Sequence, residues 1–566
     1  MSLFSSLQVS SNALRVNQLG LQVVSNNIAN ANTPGYIRQE LIQDAGPGYK
    51  MGSSILGQGV RSVGVQQRVD EFLLQSIREV QSKISRSEGL QEANSKLETA
   101  LSELGDNDLS TSMSKFSNAM QDLANTPGNT AVRSLAIQRG RELSEGIQQL
   151  SGRITQIALN SNTEIKNTAN QINVLTDSIA KLNQRVVELE GGSSSTSDAV
   201  GIRDQRIKAL DELSKLVNIH VTEQETGAVT VIVGGDYLVA EGLSRPVNAV
   251  SVGDAKVGSA EIRIVDTDAA LVVTGGRLKG LYDVRDGSTA TFSNRLDDFA
   301  RNIIRQVNQI HSQGQGATGL SEVVGEPVLI DNALPIEQSG SDIDINNGSF
   351  EIQVLDASTN QTRSFDIFIK QQGQTNDTTV NDLVSQLNQI SGIQASTTVD
   401  GRFQIRTAST AIKFSFANDT SGVLSALGLN TFFSGNSAST IQVRSDIVND
   451  PSRLAISLDG AGKGNRNAVA LAEVFDRAEA SLGDQSLRES YESMITITTQ
   501  DINSQQSITD GLQNFLQTLE AKHLGVSGVS LDEEGIKMLL YQRAFQASGR
   551  VISVTNDLLD TLVNII

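Results

Sequence analysis

The side chains that most often do chemistry are few in this sequence and widely scattered. Its three histidines, His220, His311 and His523, stand far apart, and none belongs to an HExxH pair, so the helix that presents two zinc ligands in a metalloprotease is missing. Cysteine is absent, which removes thiolate nucleophiles, thiolate metal sites and disulfides together. Gly460-Ala461-Gly462-Lys463-Gly464 has the outline of a phosphate loop. However, Ser457 stands where the first glycine belongs, and Gly464 replaces the Ser or Thr that would bind Mg²⁺. The run reads as a solvent loop. Asp342, Asp344 and Asn346 followed by Gly348 have the outline of a calcium loop, but the glycine falls one place late and no Glu closes it. Ile343 and Ile345 alternate with those acids as in a strand. Asp532-Glu533-Glu534 would supply a carboxylate pair for acid–base work, yet acids at a helix start are favoured by the helix dipole alone. No catalytic residue, metal site or cofactor is expected, and the chain is read as not an enzyme.

Composition narrows the class further. With 566 residues, a prior of roughly 100 to 200 residues per domain gives about three to five domains. Lys and Arg number 45 against 64 Asp and Glu, a net charge of -19, so nucleic acid and anionic lipid repel the molecule. No apolar run approaches the ~18 residues that span a bilayer, so no membrane insertion is expected. The N-terminus lacks the basic segment and apolar core of a cleaved secretory signal, so export, if it occurs, takes another route. Aromatics are only 4%, which favours long helices with narrow apolar seams over one large core.

The elements follow from periodicity. Leu3, Leu7, Ser10, Leu14, Asn17, Leu21, Val24 and Ile28 recur at alternating steps of four and three, with Val9, Val16 and Val23 beside them, which predicts a heptad helix. Thr33-Pro34-Gly35 stops it. Arg15 is the only charged residue before Arg38, so this helix expects partners. The far end repeats the rhythm in Leu540, Ala544, Ala547, Val551, Val554, Leu558, Thr561 and Ile565. Each terminal helix, about 30 residues or roughly 45 Å, suits a paired coiled coil. The assembly seams expected are Leu3, Leu7, Leu14, Leu21 and Ile28 at one end, and Val551, Val554, Leu558, Leu562 and Ile565 at the other.

Between the ends, residues 37 to 68 read as short strands, and helices resume at Val69. Leu143 to Leu189 carry a long seam, with two consecutive steps of four from Ile157 through Ser161 to Ile165, a stutter that locally unwinds a supercoil. Residues 191 to 198, GGSSSTSD, read as a flexible linker. Alternating Val and Ile after His220 predict a small β domain ending near Thr274. Phe292 to Ile310 return to helical spacing. Residues 321 to 439 read as an insertion with strands SFEIQV and SFDIFIK, a helix near TVNDLVSQLNQI and a hairpin turning at Asp400-Gly401. Asn467 to Leu524 read as helical again. The class is therefore mainly α and multidomain: terminal coiled-coil helices and a long helical trunk with inserted β-rich domains. The domains expected are 1–36 with 531–566, 37–220 with 275–320 and 440–530, 221–274, and 321–439.

One string is far more specific than its physics requires. SNNIANANTPGYIRQ, Ser25 to Gln39, reads as a helix C-terminus with Asn caps and a Pro-Gly turn. It also resembles the signature shared by the rod, hook and hook-associated proteins of the bacterial flagellum, carried here by Asn26, Asn27, Asn30, Asn32, Thr33, Pro34, Gly35 and Tyr36. GQGVRSVGVQQRVDEFL (Gly57 to Leu73) looks like the segment that follows it. RDQRIKALDELSKLVNIHV (Arg203 to Val221), TGGRLKGLYDVRD (Thr274 to Asp286) and VNQIHSQG (Val307 to Gly314) look like the trunk of the hook–filament junction members. SGVSLDEEGIKMLLYQRAFQASGRVISVTNDLLDTLVNII (Ser527 to Ile566), which includes Asp532, Glu533 and Glu534, is similar to their closing helix. Residues 321–439 lie outside the resemblance.

The SGVSLDEE string, the Asp204-Gln205-Arg206 block and the long coiled trunk favour the junction members over the hook protein. The resemblance implies an extracellular structural subunit between hook and filament, exported unfolded by the flagellar type III route, whose terminal helices pair into a tubular junction. Implied partners are copies of itself, the hook protein, the filament-side hook-associated protein and an export chaperone at the C-terminal helix. The alternatives are another axial protein of hook type, an adhesin or binding module acting through residues 321–439, and an enzymatic insert.

Overall fold

The computed structural model describes residues 3–33, 35–51, 54–102, 108–191, 199–253, 259–338, 345–359, 361–373 and 377–565. Its helices are α1 (Leu3–Asn30), α2 (Glu71–Ser102), α3 (Leu109–Asn125), α4 (Thr130–Glu190), α5 (Val200–Leu216), α6 (Gly276–Tyr282), α7 (Ala290–Ser312), α8 (Val380–Asn388), α9 (Val423–Ala426), α10 (Ser445–Asn449), α11 (Arg466–Ala472), α12 (Leu487–Ser527) and α13 (Leu531–Ile565). Small antiparallel sheets interrupt them, so the class is the one expected, mainly α with β-rich insertions. The chain divides into two compact units: Met1–Ala93 with Ala158–Arg285 and Asn503–Ile566, and Asn94–Ile157 with Asp286–Ile502.

The first unit is organised by the later part of α4. Ile165, Thr168, Ile172, Ile179 and Val186 of its predicted seam are buried, and Ile165, Ile172 and Ile179 share a core with Leu210 and Leu213 of α5 and the small sheets. The seam ends at Leu189, which is exposed. The linker expected at 191–198 is described only at Gly191, a turn; residues 192–198 lie outside the described residues. The strands His220–Glu223, Val229–Val233, Asp236–Ala240 and Leu243–Ser244 run in that order as an antiparallel meander. Val229, Val231 and Val233 are buried while Thr230 and Ile232 are less so, the period of two that a half-covered strand requires. Gly234 and Gly235, both at positive φ, make the two-residue turn that a tight hairpin needs. Near the N-terminus, strands Gln39–Ala45 and Val60–Gln67 pair antiparallel.

The second unit holds the insertion and most of the aromatic side chains. Leu109, Met113, Phe116, Met120 and Leu123 of α3, Leu143, Ile147, Leu150 and Ile154 of α4, and Phe292, Leu296, Phe299, Ile303, Val307 and Ile310 of α7 are all buried. Residues 321–439 contain two three-stranded antiparallel sheets and α8 around a core that includes Phe350, Ile352, Leu383, Phe403 and Phe414. Thr379 and Asp382 close a reciprocal capping box at the start of α8. The strands Ile393–Thr397 and Arg402–Thr407 pair around a turn in which Gly401 has φ 78° and donates to the Thr398 carbonyl.

The helical stretch expected over Asn467 to Leu524 is interrupted between α11 and α12. α11 ends at Ala472, Gly483 takes a left-handed conformation, and α12 starts only at Leu487. The reason is local: the Glu489 carboxylate accepts from the Ser486 amide, and the Ser486 hydroxyl accepts from the Glu489 amide. This Ser-x-x-Glu box fixes a helix start there.

Candidate assembly interface at the chain ends

The signature string begins as the last turns of α1. Asn30 donates to the Asn26 carbonyl and side-chain oxygen, and Thr33 donates to the Asn30 side chain, a surface ladder that competes with further helix and favours a stop. Asn32 is exposed. Gly35 takes φ 80° with nothing near the place of a Cβ, so glycine serves conformation there rather than space. Pro34 lies outside the described residues. The turn swings Tyr36, Ile37, Arg38 and Gln39 back alongside α1.

Asn27 is fully buried and uses its whole amide. Its Nδ2 donates to the Gln39 carbonyl and to Glu534 Oε2, both at 2.9 Å. Its Oδ1 accepts from the Gln39 amide at 3.0 Å and from the Tyr36 hydroxyl at 2.8 Å. Two donors and two acceptors are thereby satisfied, as burial demands. Arg38, also buried, donates from Nε to Glu534 Oε1 at 2.9 Å and lies 2.7 Å from both Glu534 and Glu533. Its backbone joins the latch too, donating to the Ser527 carbonyl and accepting from Arg68.

Burial opposes the charge on Arg38, but the hydrogen bonds to Glu533 and Glu534 outweigh it and hold its pKa above the ordinary value. The Glu533 carboxyl is held low by its hydrogen bond from Arg38. The Tyr36 hydroxyl is pushed up to about 12 by burial, with Asp204 and Glu534 adding to the shift. The acids at the start of α13 thus do more than the helix-dipole reading assigned: Glu534, with a side chain wholly shielded from solvent, locks the two chain ends together. Arg38 and Gln39 belong to the string but not to the signature residues drawn from it, and their distant partner left no trace in local sequence.

From this latch α1 and α13 run antiparallel. Asn27 meets Glu534, and Gly20 meets the ring of Tyr541, whose carbons lie 2.6 Å from where a Cβ would stand. Along α1 the buried positions are Ser10, Val16, Gly20, Val23, Val24 and Asn27. The expected seam residues Leu3, Leu7, Leu14, Leu21 and Ile28 lie beside that stripe and are only half-buried. On α13 the shielded stripe is Glu534, Met538, Tyr541, Phe545, Ser548, Ile552, Thr555 and Leu559, a heptad series in its own right. The seam read from sequence is offset from it. Val551, Val554, Leu558 and Leu562 are 47–57% exposed, and Leu539 and Leu540 lie open as well. Ile565 is helical, but its side chain lies outside the described residues. Helix α13 therefore carries two heptad stripes, one covered by α1 and one bare. Gly20 was the available hint: a glycine inside an otherwise regular heptad costs about 1 kcal/mol of helix propensity unless a neighbour needs the space.

The scattered chemical candidates take structural places. His311 is fully buried. Its Nδ1 is 2.7 Å from the Asn430 carbonyl and its Nε2 accepts from the Ala455 amide; burial pushes its pKa down to about 4. His220 is exposed and His523 half-buried. In the glycine loop, a Cβ on Gly464 would meet the Asp459 carboxylate at 2.6 Å, so an acidic side chain packs against this loop. Asp342 and Asp344 lie outside the described residues. In the Asp204-Gln205-Arg206 block, Arg206 bonds Asn183 and the Gly227 carbonyl, and Asp204, which accepts from Gln67, is raised to about 6 by burial. Among the described residues no group of three or more His, Asp or Glu could hold a metal, and no helix is long and apolar enough to cross a membrane.

Three protein families match parts of the chain: the flagellar hook-associated protein FlgK helical domain over residues 94–327, the flagellar basal body rod FlgEFG protein C-terminal region over 520–565, and the flagella basal body rod protein over 7–36. Flagellar hook-associated protein 1 of Escherichia coli is 24% identical over 98% of both chains. The protein of that name from Bacillus subtilis is 23% identical over 100% of this chain and 98% of its own. The solved structure of the flagellar hook junction protein FlgK from Burkholderia pseudomallei superimposes with a TM-score of 0.52 at 13% identity, covering 80% of this chain and 100% of that one.

Proposed function

We propose, for a chain that belongs to the flagellar hook-associated protein 1 family, that it joins hook to filament by building its terminal helices into a tube. Family membership carries a structural role in the flagellar axis, outside the cell; the manner of assembly is our reading. The α1–α13 hairpin, fixed by the Asn27–Arg38–Glu534 latch, acts as one strut. Its bare stripe of Val551, Val554, Leu558 and Leu562, which Ile565 continues in sequence, packs on neighbouring copies, and Leu3, Leu7, Leu14, Leu21 and Ile28 supply the matching surface from α1.

One observation carries this: a second heptad stripe on α13 that no part of the chain covers among the described residues. Leaving such a stripe in water is unfavourable by about 25 cal/mol per Å² of apolar area, and stripes of this kind mark protein–protein contacts. The hook protein on one side, the filament-side hook-associated protein on the other, export through the flagellar type III channel and a chaperone on the C-terminal helix complete the reading.

Leu558→Asp tests it. Leu558 is half exposed in the single chain, so the substitution leaves thermal unfolding of both units unchanged. Between packed helices an unpaired carboxylate costs several kcal/mol. The expected phenotype is a completed hook without a filament, with mutant protein and flagellin both lost to the medium. Abundant secreted mutant together with normal filament numbers would sink the assignment.

A further inference from the structure

His523 stands one turn before the end of α12 and shortly ahead of Ser527, whose carbonyl accepts the Arg38 amide of the latch. The ring is half-buried, and its Nδ1 is shut off from solvent with no hydrogen-bond partner. Four charged groups face it: Asp70 and Arg78 from the start of α2, Asp211 from α5, and Glu520 from its own helix. Both aspartates are already committed. Asp70 accepts from the Leu73 amide at 3.0 Å and so caps α2, and Asp211 accepts from Arg78 Nε at 2.8 Å.

An uncharged imidazole can leave Nδ1 without a proton, but an imidazolium carries one on each nitrogen. A buried Nδ1–H would then lack an acceptor, which is unfavourable. The carboxylate that acts on the ring most strongly is Asp211, and drawing it off strips Arg78, which is itself buried and already has an Nη2 without a partner. Burial outweighs the pull of the three carboxylates and holds the His523 pKa below its ordinary 6.5. The folded chain thus binds this proton more weakly than the unfolded one, so the contacts around His523 are held at neutral pH and weaken as pH falls below about 6.5. We propose that His523 is an acid-sensitive clasp: uncharged, it lets the end of α12 lie against α2 and α5; protonated, it draws Asp211 from Arg78 and loosens the Ser527–Arg38 bond that ties α12 to the latch. The α1–α13 hairpin is fixed at neutral pH and gains freedom in acid. Its use in the junction rests on the reading of that hairpin as an assembly strut, whereas the clasp itself belongs to the single chain.

The test uses the purified full chain. Hydrogen exchange, corrected for intrinsic rates, is followed across the histidine range of about pH 5 to 8 in peptides covering 36–40 and 520–530. Both are expected to exchange several-fold faster at the acid end, and His523→Gln, which cannot take up the proton, is expected to remove that response. Because the chain has only three histidines, their Cε1–H signals can be titrated one by one by NMR and assigned with His220→Gln. The His523 midpoint should lie below 6.5 and coincide with the midpoint of the exchange change, a comparison that stands even where His523→Gln folds poorly. An undiminished acid response in folded His523→Gln, or a His523 midpoint that departs from the exchange midpoint, overturns the proposal. Either result leaves the assembly reading to Leu558→Asp, which does not involve this ring.

Discussion

Two long helices, α4 and α13, carry apolar side chains at alternating steps of three and four, yet those side chains finish in different surroundings. In α4, Leu143, Ile147, Leu150, Ile154, Ile165, Ile172, Ile179 and Val186 are buried by elements of the same chain. In α13, Val551, Val554, Leu558 and Leu562 stay half exposed, while a neighbouring stripe of mixed polarity faces α1. A heptad announces that a stripe will be covered without naming what covers it. Where strands and helices return to the helix, as they do on α4, the cover is internal. Where one helix of limited width returns, as on α13, only one of two stripes can be met.

The strongest way to break this contrast is to damage each cover in turn. Phe432→Ala removes a fully buried ring packed edge-on against Phe116 at 5.7 Å and Phe433 at 4.8 Å. It should destabilise the second unit by about 3–5 kcal/mol, read as a lower melting temperature by calorimetry, while exchange of α1 and α13 amides stays unchanged. Glu534→Ala takes from buried Arg38 one of its two carboxylates, leaving the exposed Glu533, and from the Asn27 amide one of its two acceptors, leaving the Gln39 carbonyl. It should loosen the hairpin by up to about 3–5 kcal/mol in hydrogen exchange and spare the second unit's melting. If Glu534→Ala instead lowered both together, the ends would not be the separate element described.

Acid should act on His311 in the second unit and Asp204 in the first in opposite senses. His311, held near 4 against an ordinary 6.5, binds its proton more weakly folded than unfolded. Stability of the second unit therefore falls as pH drops from about 6.5 to about 4, by up to about 3 kcal/mol at 1.36 kcal/mol per pKa unit. Asp204, raised from 3.8 to about 6, binds its proton more tightly folded, so its contribution is present at low pH and is lost as pH rises from about 4 to about 6. Segment-resolved hydrogen exchange across that range should show the second unit losing protection on acidification, a trend abolished by His311→Gln. A parallel gain around Asp204 should vanish in Asp204→Asn. Equal loss around both residues would contradict these assignments.

The smallest effect sharpens the hairpin itself. Gly20→Ala gains up to about 1 kcal/mol of helix propensity but drives a methyl into the Tyr541 ring, at about 1–3 kcal/mol for overpacking. A net weakening of α1 protection in exchange is expected, recovered when Tyr541→Leu is added. Unchanged protection in Gly20→Ala would mean that the helices do not approach closely there.

Much of this was legible along the chain. The α4 seam, the strands around Phe350 and Phe365, the turn at Gly401 and the stop after Asn32 follow from local patterns whose causes act within a few residues. The interruption before Leu487 is written in the Ser486-Leu487-Arg488-Glu489 box, although apolar spacing on either side of it reads as helical. Periodicity alone could not choose between the stripes of α13, since a one-residue shift rotates the face by about 100° and either series keeps the heptad step.

The sequence by itself determined the helical class, the β insertions, the absence of thiol chemistry and the string that ties the chain to flagellar axial proteins, because composition and period need no knowledge of distant neighbours. Only the tertiary structure decided that Asn27, itself held by Tyr36, and Arg38 close on Glu534, some five hundred residues away, and that Gly20 makes room for Tyr541. A buried amide or guanidinium must find partners for every donor. Which residues answer depends on where the folded chain returns, which no local pattern specifies.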